Sequence, residues 1–133
     1  NYNKNGRDIT FQFFLEKHAV ASMESFFSGQ PSLFSLEAIE ASTVIILQKK
    51  DFDMLLEKFP DIKILMDRQI YQRLGHYAKL FLSFIKDSPR ERYLELLKNN
   101  PQLLQRIPQH YIASYLGISP VSLSRIRNRL IKG

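Results

Sequence analysis

Eight residues near the C-terminus carry side chains suited to gripping and reading a polyanion: Gln109, His110, Ser119, Val121, Ser122, Arg125, Asn128 and Arg129. Arg125 presents a planar fork of donors that matches the paired acceptors on the major-groove edge of guanine. Gln109, His110, Ser119 and Arg129 suit phosphate oxygens, which accept from any donor and carry no sequence information. Val121 and Ser122 belong at base edges or the adjacent backbone. Val121 cannot hydrogen-bond, but it can touch a thymine methyl. The charge pattern points the same way. The chain has 19 Lys+Arg against 13 Asp+Glu, a net charge of +6. Residues 96–133 hold Lys98, Arg106, Arg125, Arg127, Arg129 and Lys132 and no acid. A solvated face normally mixes signs, whereas a one-signed patch attracts nucleic acid. The plain alternative is an ordinary helical hairpin with a solvated polar face.

These residues need a scaffold that presents them together, and HYIASYLGISPVSLSRIRNRLIK (residues 110–132) has one. Ile112, Ala113 and Leu116 form the apolar side of a short helix. Gly117 can take the positive φ that ends that helix sharply. Ser119 can cap the next helix, and Pro120 suits its first position. Leu123, Ile126 and Leu130 stand at i, i+3 and i+7 and share a buried face. Val121, Ser122, Arg125, Asn128, Arg129 and Lys132 then face outward. Arg127 lies near the edge of the buried face, where its stem can pack. Two short helices with a glycine turn, the second apolar behind and basic in front, describe a helix-turn-helix.

Other chemistries lack their residues. The absence of cysteine excludes disulfides, thiolate zinc sites and a cysteine-held iron–sulfur cluster within this sequence. His18, His76 and His110 fall in separate regions without metal-ligand spacing, so neither a metal nor another cofactor is expected. No phosphate-binding glycine loop and no nucleophile elbow occurs, so the chain is not expected to be an enzyme. No apolar run approaches the roughly 20 residues of a membrane span, and residues 1–8 do not read as a signal peptide. A cytoplasmic protein is expected.

The first 49 residues read as β structure. Asn3-Lys4-Asn5-Gly6 is a hairpin signal. Ile9, Phe11, Phe13 and Leu15 alternate with Thr10, Gln12 and Phe14, the period of a strand. Ala19–Gly29 suggests a short helical turn and loop. Leu33–Ala41 and Thr43–Lys49 look like two more strands, with Val44 to Leu47 buried on both faces. So few strands cannot close a barrel, so the chain is expected to begin inside a β-domain whose first half lies upstream.

From Lys50 the apolar period becomes helical. Phe52, Leu55, Leu56 and Phe59 mark one short helix. Asp61 to about Lys86 marks a long one, about 39 Å in length. Along it Ile62, Met66, Ile70, Leu74, Tyr77, Phe81 and Phe84 approximate a heptad seam, a candidate dimer interface. Leu80, Leu82 and Ile85 add a second apolar stripe. Ser88-Pro89 marks a break. Beyond it, Arg90–Asn99 is an expected helix burying Tyr93, Leu94 and Leu97.

With these segments in place, the chain resembles the cyclic AMP receptor protein/FNR family of bacterial transcription regulators. The likeness is strongest at NGRDITFQFFLE, ERYLELL and IPQHYIASYLGISPVSLSRIRNRL, and the C-terminal part looks like the branch common in Bacteroidetes. The resemblance implies a homodimer through the long helix, a sensory β-roll, a recognition helix in each major groove, and RNA polymerase as a further partner. Three departures qualify it. Ser22 stands where the family's ribose-binding Glu would be, and no Arg lies between Glu24 and Ser42 to neutralise a cyclic phosphate. Cyclic AMP binding in the family's usual way is therefore not expected. Val121 replaces the family's cytosine-reading Glu, although Arg125 matches its base-reading Arg. The sequence stops at Gly133, right after the recognition helix, so the family's β-wing is not seen in it, whether by nature or by truncation.

The expected fold is thus α+β. A partial β-roll (a double-stranded β-helix or jelly roll, cyclic-nucleotide-binding-like) with its short helix spans 1–59. A dimerisation helix spans 60–87, and a helix-turn-helix domain spans 88–133. The expected function is a homodimeric, sequence-specific DNA-binding transcription regulator with an open effector identity. Its rival is a cyclic-nucleotide-binding-like interaction or signalling module without specific DNA binding. The Phe-rich stretch (Phe11, Phe13, Phe14, Phe26, Phe27, Phe34) has the composition of plain core, the commoner case, or of the lining of an apolar ligand site.

Overall fold

A computed structural model describes residues 1–4 and 7–131. Asn5 and Gly6, in the expected hairpin turn, and Lys132 lie outside the described residues. The elements run β1 (Tyr2–Lys4), β2 (Arg7–Ile9), α1 (Met23–Ser28), α2 (Lys49–Lys58), α3 (Pro60–Lys86), α4 (Pro89–Asn99), α5 (Pro101–Arg106), α6 (Gln109–Tyr115) and α7 (Pro120–Ile131).

The expected α+β fold with a partial β-roll does not form; the described chain is mostly helical. Among the described residues, regular β structure is confined to β1 and β2, three residues each, paired antiparallel with Tyr2 opposite Ile9 and Lys4 opposite Arg7. Residues 10–22 and 29–48 form no strand. The reason is that period-2 alternation is a local property, whereas a strand exists only where a neighbour completes its ladder. Val44, Ile45, Ile46 and Leu47, expected inside a sheet, are exposed instead, Ile45 at 97 %. The cyclic-nucleotide-binding jelly roll is corrected with the β-roll, and the phenylalanines line no barrel. Phe11 packs on Phe34 at 4.5 Å between ring centres, Phe26 meets Phe27 edge-on, and Phe13 meets Tyr115 at 5.2 Å with the rings tilted by 50°.

The chain divides into two compact units, Ala41–Asp87 and the combination of Asn1–Glu40 with Ser88–Gly133. The first contains α2 and α3. Pro60 starts the 27-residue α3 at a position that needs no amide donor. Of the seam residues, Ile62, Met66, Ile70 and Tyr77 are half-buried, while Leu74, Phe81 and Phe84 are exposed.

The second unit holds the core. Tyr93 and Leu96 of α4, Leu103 of α5, Ile107, Ile112, Ala113, Leu116 and Leu123 form one buried cluster. In α4 the buried pair is Tyr93 and Leu96; Leu94 is half-buried and Leu97 exposed, a rotation of the buried face from the one expected. A full capping box starts α4. The Ser88 hydroxyl accepts from the Glu91 amide, and the Glu91 carboxylate accepts from the Ser88 amide at 2.7 Å.

Residues 1–40 are fastened to α5 and α6. The Thr10 amide donates to the Ser114 hydroxyl at 3.0 Å, and that hydroxyl donates to the Asp8 carbonyl at 3.2 Å. The Tyr111 hydroxyl donates to Glu37 at 2.8 Å, which raises the pKa of the phenol. Arg106 pairs with both Glu16 and Glu40 at 2.6 Å. Hydrogen bonding from Arg106, then from the backbone, lowers the Glu16 carboxyl to about 2, and Arg106 lowers Glu40 as well. Depressed carboxylate values add stability at pH above the ordinary value, and that stability is lost as pH falls through the folded one. The clasp should therefore hold at neutral pH and release as acid approaches pH 2. A carbon-13 titration of the Glu16 carboxyl should show a midpoint near 2; an ordinary glutamate midpoint would mean that the ion pair does not form in solution.

Candidate nucleic-acid interface

The turn between α6 and α7 is set by three local signals. Gly117 sits at φ 69°. Its amide donates to the Ser114 carbonyl at 3.0 Å, and the Ile118 amide reaches back to the Ala113 carbonyl at 3.0 Å. This double bond pattern is the Schellman closure that a left-handed residue allows. Ser119 then caps α7. Its hydroxyl accepts from the Ser122 amide at 3.1 Å, its carbonyl accepts from the Leu123 amide at 3.0 Å, and Pro120 opens the helix.

Burial orients the pair. Ile112, Ala113 and Leu116 of the first helix and its cap are buried, and Leu123 of α7 is 1 % exposed. Ile126 and Leu130 are half-buried against the same core. The opposite side of α7 therefore faces out. Val121, Arg125, Asn128 and Arg129 are exposed, at spacings of four, three and one that keep them on one helical stripe. Ser122 is half-buried, with its hydroxyl 3.0 Å from that of Ser119. Gln109 and His110, in the first turn of α6, are exposed, and the His110 ring lies 4.1 Å from that of Tyr111. All eight residues singled out from the sequence thus lie on α6, α7 or the turn between them. Ser119 already has a structural task, since its hydroxyl closes the helix. Arg127 is half-buried and borders a crevice with Tyr93, Leu104, Ile107, Ile112 and Leu123, so it belongs to the packing rather than the outward face.

Four residues outside these eight bear on the site in ways that residue spacing does not show. Arg92 of α4 donates from Nη2 to the Leu116 carbonyl at 2.9 Å, holding the end of α6 from 24 residues away. Arg106 is engaged by Glu16 and Glu40, so one cation of the basic C-terminal segment is neutralised by acids from the N-terminal segment. Ser88 and Arg90, at the start of α4, line an open groove together with Ser122, Arg125 and Arg129. The one-signed C-terminal charge points to Arg125 and Arg129; nothing in the linear order associates Arg90 with them.

Among the described residues no cluster of His, Asp or Glu could hold a metal ion, and no helix is long and apolar enough to cross a membrane. His18 accepts on Nδ1 from the Leu15 amide at 3.1 Å, a local turn contact. Compared with known proteins, the chain matches no family model, no curated protein and no solved structure.

Proposed function

We propose that this chain binds double-stranded DNA through the outward face of α7 and acts as a cytoplasmic transcription regulator, working as a homodimer joined along α3. The carrying observation is the stripe Val121–Arg125–Asn128–Arg129. It is exposed, rigidly backed by Leu123, and contains two arginines that form no ion pair among the described residues. A helix about 10–12 Å across with its side chains fits a major groove about 12 Å wide. In that groove Arg125 addresses a guanine edge, Val121 a thymine methyl, and Gln109, His110 and Arg129 the flanking phosphates. The likeness of ERYLELL and IPQHYIASYLGISPVSLSRIRNRL to the cyclic AMP receptor protein/FNR family supports this reading. On α3, exposed Leu74, Phe81 and Phe84 continue a stripe with half-buried Ile70 and Tyr77, the apolar surface that a second copy would cover.

The discriminating experiment is the salt dependence of duplex binding. Cation–phosphate contacts release counterions, so the logarithm of the binding constant should fall linearly with the logarithm of salt, by about 0.9 per phosphate neutralised. No duplex binding at low salt would replace this reading with that of a protein-interaction module.

A further inference from the structure

Arg90, Arg125 and Arg129 come from two helices, α4 and α7, and line one groove with the Ser88 and Ser122 side chains. Among the described residues none of the three arginines forms an ion pair. The nearest acid in the sequence, Glu91, is turned back onto the Ser88 amide by the capping box. Like charges around one groove repel, and an anion with several acceptor oxygens relieves that repulsion through charge-assisted bonds. The groove is also preformed. Tyr93 and Leu96 of α4 and Leu123 of α7 belong to one buried core, and Arg92 of α4 is bonded to the Leu116 carbonyl just before α7. The two walls therefore keep their spacing without a ligand.

We propose that this groove is a phosphate seat and that Arg90 is a DNA-contacting residue on a second helix. The inference rests on the DNA-binding reading of α7 and extends it. A helix lying in the major groove is flanked by the phosphates of the strands that border it. With α7 in the groove, the start of α4 lies beside it, where Arg90 meets a backbone phosphodiester. Arg129 and the Ser88 and Ser122 hydroxyls meet the same anion as Arg90, while Arg125, on the groove's border, turns to the bases once the anion has relieved the repulsion between the other two arginines. Arg90 therefore adds affinity without choosing a sequence.

The test compares the full chain with its Arg90→Gln, Arg90→Lys and Lys98→Gln variants across a salt series on a mixed-sequence duplex. Lys98 is exposed on α4 outside the groove, so its variant removes the same charge elsewhere. Arg90→Gln should weaken all duplexes several-fold to the same degree and reduce the salt slope by about one. Arg90→Lys should retain the slope, and Lys98→Gln should change neither quantity. Equal behaviour of Arg90→Gln and Lys98→Gln overturns the inference while leaving α7 as the DNA reader. Absence of duplex binding by the unaltered chain overturns both. Calorimetric titration with inorganic phosphate distinguishes the source of the anion. Saturable phosphate binding that Arg90→Gln abolishes, with duplex affinity equal in both proteins, assigns the groove to a free anion and overturns the proposal.

Discussion

Replacing Leu123 with Ala is expected to destabilise the unit built from residues 1–40 and 88–133 by about 2–5 kcal/mol, the usual range for emptying a buried leucine site. Leu123 is 1 % exposed and, with Leu116, is among the largest fully buried side chains. It also lines one crevice with Tyr93, Ile107 and Ile112, and is the fully buried residue of α7, flanked by half-buried Ile126 and Leu130. The truncation removes transfer free energy and leaves a cavity that the surrounding helices fill only in part. Urea unfolding followed by the amide signals of α6 and α7 measures the loss. Val121→Ala, on the exposed side of the same helix, should change stability by no more than about 0.5 kcal/mol. Similar losses for the two variants would contradict the orientation of α7.

Arg125→Ala should weaken binding to the preferred duplex by about 1–3 kcal/mol and relax selectivity at a single base pair. Arg125 is exposed on the outward stripe, and its truncation leaves the core untouched. The effect should therefore appear in binding and not in the unfolding midpoint. Discrimination is the informative quantity. A guanine contact is lost at one position, whereas a phosphate contact is lost on every sequence alike. Uniform weakening across substituted duplexes would move Arg125 from base reading to backbone contact.

The part of the chain that reads correctly from sequence is the part whose signals are local and stereochemical. Ser88-Pro89, Gly117 and Ser119-Pro120 each settle a helix end through bonds made within a few residues, and all three ends form as those residues require. The spacing of Leu123, Ile126 and Leu130 likewise needs only helical geometry to place them on one side. The first 48 residues mislead because their pattern is conditional. Ile9 to Leu15 alternates as a strand would, yet only Ile9 lies in one, paired with Tyr2. Val44 to Leu47 has the composition of a buried strand and lies exposed. Neither run encodes the neighbour that a ladder demands. The clasp of Glu16 and Glu40 on Arg106 spans 90 and 66 residues, and the bond from Arg92 to Leu116 spans 24. No spacing rule reaches that far, so the charges were legible while their pairing was not. The eight residues singled out share α6, α7 and the turn between them, which spacing can show; Arg90 lines a groove with three of them from α4, which spacing cannot.

Whether α7 reads DNA sequence is decided by selection from a random duplex pool followed by sequencing, at two salt concentrations. An enriched palindrome is expected, its half-sites separated by about one helical turn or a multiple of it, as a two-fold dimer requires, with weaker recovery at the higher salt. Recovery of a random pool, or no recovery even at the lower salt, would contradict sequence reading by α7.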